Sequence, residues 1–286
     1  KAVKLFDDGG AKYEKVNVSQ IDEAVTYAIM ARVALTRGEW KNAANYAASV
    51  IDNSGCVLTS DYTYGWNKAN EEWLWGALLI DEQQTSYASF FSHMDPFFGG
   101  YCSLGNQHVM SEKLFNFLSK YDQRKVVNQP DVYFAPYFNA YFGGKKRSSF
   151  KYTGMGEWTN DYLYIKLGEM YLIAAEGFAR IGDNANAQIY INELNKKRYI
   201  NSAYYTPITL TGTALINEIL MYRRAELWGD GQRFFDMKRL KESNVGRTDQ
   251  PLCEQTYTIP AGDKRFTFLI PQQEINSNPN IKQNSL

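Results

Sequence analysis

Two stretches of this sequence, 144 residues apart, carry the same helical pattern, and the repetition narrows the possible folds sharply. In residues 21–52, IDEAVTYAIMARVALTRGEWKNAANYAASVID, Ala24, Ala28, Ala31 and Leu35 recur at helical spacing, Gly38 interrupts them, and Ala43, Tyr46, Ala47 and Val50 resume the period. In residues 171–198, YLIAAEGFARIGDNANAQIYINELNKKR, Tyr171 matches Tyr27, Ile173 matches Ile29, Ala175 matches Ala31, Gly182 matches Gly38, Ala187 matches Ala43 and Tyr190 matches Tyr46. Each stretch predicts two antiparallel helices joined by a tight turn, with the glycine available for the left-handed conformation that ends a helix.

Small residues where paired helices touch, a glycine turn and an aromatic on the second helix are the physical content of a tetratricopeptide-like hairpin. Such units bury their apolar faces only by stacking, and two are fewer than the roughly three that a free-standing stack requires. Partner helices are therefore expected from elsewhere, in an N-terminal part outside this chain.

The segments around the hairpins differ in kind. Residues 53–110 and 128–160 are rich in Gly, Asn and aromatics, interrupted by a predicted strand, EEWLWGALLI. SEKLFNFLSKYDQR at 111–124 predicts a helix with Ser111 as its N-cap and Leu114, Phe115 and Leu118 on one face. TGTALINEILMYRRAELW at 211–228 predicts another, capped by Thr213, before Gly229-Asp230-Gly231 turns the chain into RFFDMKRL. A short strand is predicted at 266–270, ended by Pro271.

Charge and motif content exclude several function classes. With 31 basic and 31 acidic residues the formal net charge is zero, so no general pull on nucleic acid or an anionic membrane is expected. Three scattered cysteines and two histidines, His93 and His108, match no zinc, triad or redox pattern, and no cofactor or metal is expected. No apolar run reaches the length of a membrane span. Glu71 and Glu72 beside Trp73 and Trp75 suggest a glycosidase pair, but neighbours on a strand point to opposite faces, so they read as an acidic lead into a half-buried strand.

Aromatics make up 15% of the chain, and many sit in the loop segments rather than in periodic runs. Sugar rings present C–H faces that stack on such rings, while amides and imidazoles bond the hydroxyls. The candidate ligand residues are therefore Tyr62, Tyr64, Trp66, Phe97, Phe98, Tyr101 and Trp158, with Asn67, His93, Asn106 and Gln107 as polar companions.

In RRAELWGDGQRFFDMKRL, residues 223–240, Arg223 and Glu226 lie three apart, as do Asp236 and Arg239, which pairs opposite charges on one helical face. Arg233 is expected to meet Glu226 across the Gly-Asp-Gly turn. This stretch also resembles the Arg-Arg-x-Glu-Leu signature segment of the SusD/RagB family, with Asp230 where the family commonly has Glu. YLYIKLGEMYLIAAEGFARIGDNANA, ARVALTRGEWKNAANYAASVID, SEKLFNFLSKYDQR and the ending IPQQEINSNPNIKQN are similar to further family segments, in the family's order.

The resemblance implies a mainly α fold: tetratricopeptide-like hairpins at 21–52 and 171–198, and a loop-rich, partly β ligand-binding region at 53–110 and 128–160. Residues 1–286 are read as the C-terminal part of a single SusD-like domain. The implied function is non-catalytic binding of oligosaccharides on the extracellular face of the outer membrane of Bacteroidetes, followed by delivery to a SusC-like TonB-dependent transporter. Membrane contact is expected only through an N-terminal lipid anchor outside this chain. The alternative is a tetratricopeptide scaffold that binds a protein or peptide and has no sugar site.

Overall fold

The structure is a computed structural model that describes residues 15–63, 66–83, 88–95, 100–104, 108–128, 149–152, 159–246 and 257–284. The chain forms two compact units, residues 1–231 and 232–286.

The first unit opens with α1 (Glu23–Arg37) and α2 (Trp40–Asn53). Asp22 caps α1 by accepting from the Val25 amide at 2.7 Å, and Gly38 ends it at φ 74°, as its position after the last periodic leucine predicts. Next come β1 (Trp73–Ala77), α3 (Phe90–Met94), α4 (Glu112–Phe117), α5 (Gln123–Val126) and β2 (Tyr162–Lys166). β2 pairs antiparallel with β1 and runs directly into the second hairpin, α6 (Leu167–Arg180) and α7 (Asn184–Lys197), followed by α8 (Gly212–Glu226).

The two hairpins predicted from their shared pattern stack on one another, with α2 against α6. Eleven of the fourteen residues of α6 are buried, so this helix is the centre of the unit rather than an amphipathic surface element. One side of it shares a core with Ala28, Ala31, Ala43, Ala47 and Leu74. Its other side packs with Leu114, Ala187, Ile191, Leu215 and Ile219. The close approach rests on Gly177, where a Cβ would lie 2.6 Å from the Trp40 carbonyl oxygen and 2.9 Å from Ala44 Cβ. The further layer sought outside the chain is in part supplied within it, because α8 covers α6.

Three boundaries differ from the sequence expectation. The helix predicted at 111–124 stops at Phe117 and restarts at Gln123, because Asp122 caps α5 and forms an isolated backbone bridge with Tyr199. α8 starts at Gly212 with Thr211 in the cap position rather than Thr213, and the Gly212 amide donates to Asn184 Oδ1 at 2.8 Å. Residues 267–270 form no strand: the Thr267 amide closes a turn on the Lys264 carbonyl, and side-chain amides of the tail take the rest, Gln283 on both the amide and carbonyl of Ile270 and Asn284 on the Phe268 carbonyl.

The second unit holds α9 (Arg233–Leu240), β3 (Asn244–Val245), β4 (Thr258–Ile259) and α10 (Gln272–Ser277), and in it Phe234 meets Phe266 and Phe268. Asp236 and Arg239 pair at 2.7 Å, as their spacing predicts. Arg233 pairs with Glu242 of the same unit.

Replacing Gly177 with Ala is expected to lower stability by about 1–3 kcal/mol, since the methyl group meets backbone rather than a movable side chain. A thermal melt reports this directly; an unchanged midpoint would show that α2 and α6 can separate at no cost.

Candidate functional site

The loop-rich segments rest on a buried polar network centred on Glu226, the last residue of α8. Arg198, which ends α7, grips this carboxylate through both oxygens, Nε to Oε2 and Nη2 to Oε1, each at 3.0 Å. The same Nη2 reaches Glu72 Oε1 at 2.6 Å, and Nη1 donates to the Thr59 carbonyl at 3.0 Å. Arg124 lies 3.3 Å from Glu226 while holding both oxygens of Asp122, at 2.9 and 2.7 Å, and Asn195 Oδ1 at 2.9 Å. Glu72, read from the sequence as a lead into a strand, is fully enclosed and also accepts the amides of Thr59 and Gly168. Only glycine fits at 168, where a Cβ would lie 2.8 Å from both Glu72 and Glu226.

Two buried lysines extend the network toward the loops. Lys166, at the end of β2, lies 3.3 Å from Glu226 Oε1 and 3.2 Å from Asp230 Oδ2, and donates to the Glu226 carbonyl at 2.9 Å. Lys151 donates to that carbonyl at 3.0 Å, to the Trp228 carbonyl at 2.9 Å and to Asp230 Oδ1 at 2.7 Å. The carbonyls at the end of α8 thus meet two ammonium groups where the helix dipole is negative.

Burial disfavours the charge on Glu226, yet Arg198, Lys166 and Arg124 hold its carboxyl well below the usual carboxylate range. Burial, together with the neighbouring Lys151, drives the Lys166 ammonium well down. Burial also pushes the Asp230 carboxyl up, against the pull of Lys151.

These contacts revise the ion pairs expected in the 223–240 stretch. Glu226 is satisfied by Arg198, Arg124 and Lys166 rather than by Arg223 or Arg233. Arg223 instead lies 4.0 Å from Glu169, itself gripped by Arg32 of α1. Asp230 anchors Lys151 and also accepts from the Tyr152 hydroxyl. Gly229, at φ 80°, sits where a Cβ would strike Tyr152 and the Met94 methyl, so the Gly-Asp-Gly turn contacts both 149–152 and α3.

The sequence-predicted ligand residues separate into three groups. Tyr62 and Trp66 are buried, at 1% and 0% exposure, so neither offers a ring face to a sugar. The Tyr62 hydroxyl donates to the Glu226 carbonyl at 2.7 Å, and the Trp66 ring faces the Lys166 ammonium 4.2 Å from its centroid. They wall the network instead. Asn67 is half-buried and tied to the segment after 158, its amide donating to Asn160 Oδ1 at 3.1 Å.

His93 and Tyr101 come together. Their rings stack with centroids 4.8 Å apart and planes 17° from parallel, with His93 exposed and Tyr101 half-buried. Buried Ser92 sets this geometry: its hydroxyl accepts the Tyr101 amide at 3.1 Å and its carbonyl accepts the Cys102 amide at 2.8 Å. Tyr64, Phe97, Phe98, Asn106, Gln107 and Trp158 lie outside the described residues.

Phe90 and Tyr162 were not among the sequence candidates. Phe90 is 37% exposed and leans edge-on against Tyr152 at 5.1 Å, with Tyr162 at 6.2 Å. The signal for Phe90 was Ser89, an N-cap residue placed just before an aromatic pair. The arrangement is an exposed imidazole stacked on a half-buried phenol, with Phe90 three residues before His93 on the same short helix. Among the described residues no group of three or more His, Cys, Asp or Glu side chains is placed to hold a metal ion.

Residues 124–286, more than half of the chain, match the sequence pattern of the SusD family. The chain belongs to the SusD family. The SusD-like protein P2 of Formosa agariphila is 26% identical over 151 residues, which are 48% of this chain and 28% of that protein. A SusD-like carbohydrate binding protein from Bacteroides vulgatus shares the fold at TM-score 0.75 and 21% identity, over 98% of this chain and 62% of that one. A SusD superfamily protein from Bacteroides thetaiotaomicron aligns at TM-score 0.75 and 25% identity, over 95% of this chain and 62% of its own. Surface glycan-binding protein A from Bacteroides uniformis aligns at TM-score 0.71 and 18% identity, over 99% of this chain and 66% of its own. This SusD family chain therefore spans less than two thirds of the length of the first of these relatives. Its family match begins at Arg124 and takes in Lys151, Lys166, Arg198, Glu226 and Asp230, six of the eight charged side chains of the network.

Glu226→Ala is expected to cost about 3–5 kcal/mol, because it leaves Arg198 and Arg124 buried without their shared partner. Chemical denaturation measures it, and a loss below 1 kcal/mol would mean that water or another acid replaces Glu226. At high pH the sign follows from the tyrosines: burial pushes Tyr171 and Tyr205 up to about 12. The folded chain keeps protons that the unfolded chain releases above about pH 10, so stability is full below that pH and falls as pH rises toward 12. Tyrosinate absorbance followed alongside circular dichroism tests this; titration near pH 10 without loss of structure would contradict it.

Proposed function

We propose that this chain is the glycan-binding part of a non-catalytic cell-surface receptor that captures oligosaccharides and passes them to a SusC-like TonB-dependent transporter. In the whole protein a lipid anchor would hold it on the extracellular face of the outer membrane. The observation that carries the reading is the His93–Tyr101 stack, its imidazole exposed and its phenol half-buried, set by Ser92 on a family scaffold whose relatives include a carbohydrate binding protein and a surface glycan-binding protein.

The chemistry suits a pyranose ring. Its C–H face pairs with the flat aromatic pair, while the imidazole nitrogen and phenol hydroxyl at the edge exchange hydrogen bonds with sugar hydroxyls. The carboxylates of Glu72 and Glu226 support binding without hydrolysis, since both are closed to solvent and occupied by arginine. A glycosidase needs an acid and a base facing the scissile bond.

Isothermal titration of the chain against a panel of oligosaccharides tests the proposal. Tyr101→Ala and His93→Ala are each expected to weaken binding about two- to tenfold, the range of one aromatic stacking contact. Undiminished affinity in both variants would remove this site from the reading. Indifference to every glycan, together with capture of a soluble peptide partner, would favour the scaffold alternative.

A further inference from the structure

The connection between α7 and α8 reads RYINSAYYTPI from Arg198 to Ile208, and its tyrosines take no part in the site described above. Tyr204 stacks on Tyr121, with centroids 4.2 Å apart and planes 19° from parallel. Tyr204 is 53% exposed and Ile200, on the same ridge, is 60% exposed. A ring recruited for packing alone hides its faces, as Tyr222 does against Phe117 and Arg124. Tyr204 instead gives one face to Tyr121 and keeps more than half of its surface in water.

The backbone beneath this stack is rigid. The Ile200 amide donates to the Tyr121 carbonyl at 2.9 Å, the Gln123 amide to the Arg198 carbonyl at 2.8 Å, and Asp122 bridges Tyr199 between them. Asp122 and Arg198 are members of the buried network, so the platform stands directly on the most constrained side chains of the unit. The turn Ser202–Tyr204 is itself capped, Asn201 accepting the Ala203 amide at 2.9 Å. A ring held this way loses little freedom when a ligand covers it.

Its surroundings are polar as well as flat. The exposed side chains of Asn201 and Ser202 adjoin it in the chain, and the Lys120 ammonium lies 4.9 Å from the Tyr121 ring centroid. An open aromatic face bordered in the chain by amide and hydroxyl is suited to the C–H face and hydroxyls of a sugar. The network separates this platform from the first stack: Asp122 carries the Tyr121 turn, while Asp230 holds Tyr152, on which Phe90 leans.

We infer that Tyr204, braced by Tyr121, is a second glycan-stacking platform that takes one pyranose ring of an oligosaccharide. The inference rests on the glycan-binding reading but on residues that the reading does not use. Titrating the whole chain with the same oligosaccharide panel decides it, with Tyr204→Ala, Tyr204→Phe and Tyr101→Ala as variants. Tyr204→Ala is expected to weaken binding about two- to tenfold while Tyr204→Phe retains it, with thermal midpoints close to the parent because the ring is exposed. The same loss on going from Tyr101→Ala to the double variant would show two separate platforms. Parental affinity in Tyr204→Ala, with binding reduced in Tyr101→Ala, would overturn the inference and leave the reading intact. A proline-rich peptide that binds at Tyr204 in place of any glycan would overturn the sugar assignment, and absence of all glycan binding would overturn both.

Discussion

Arg198 holding Glu226 with two parallel hydrogen bonds ties together parts of the chain that share no local pattern. Through it the ends of α7 and α8 meet, Glu72 brings in the start of β1, and Arg124 brings in α5 with Asp122. Four basic side chains, Arg124, Lys151, Lys166 and Arg198, face four acidic ones, Glu72, Asp122, Glu226 and Asp230, so the two kinds are matched in number. Such a cluster adds little net stability over an apolar core of the same shape, because each ion loses its water. Its geometry is restrictive, however: a guanidinium donates to carboxylates in the plane of its fork, and that fixes where the helix ends lie.

The same network carries the scaffold's constraint outward to the loops. Lys151 and Tyr152 are held by Asp230, and Gly229 lets Tyr152 and Met94 approach the turn after α8. Phe90 then leans on Tyr152, and Ser92, two residues on, sets the His93–Tyr101 stack. On the other side, Asp122 and Arg198 underlie the Tyr121–Tyr204 stack. Exposed aromatics on a surface are useful to a ligand only if they are already in place, and here both stacks trace back to buried charge.

Periodicity made the helical part legible. The alanines and the glycines at 38 and 182 located both hairpins, because small residues at helical spacing and a left-handed turn are local requirements. The aromatic loops were legible only by composition, which does not say which rings face water. Tyr62 and Trp66 look the same in sequence as Tyr101, yet the first two are buried against lysines and the third is only half-buried. Composition does not mark Phe90, which lies ahead of the Asp-Pro-Phe-Phe-Gly-Gly run, or Tyr204, which lies in the connection between two helices.

What the sequence determined by itself was the mainly helical class, the hairpin repeat and, through five matched segments, the family. Each follows from short-range spacing or from order along the chain. Spacing was enough for Asp236 and Arg239, but the partners of Glu226 were decided by the tertiary structure. Arg223 and Glu226 have ideal spacing on one helix, but desolvation made the bidentate partner Arg198 and the lysines at the helix end the stronger claim on a buried carboxylate. Helical spacing is a local property, whereas burial depends on every element packed around a residue, and here burial decided both the partners of Glu226 and which rings stay exposed.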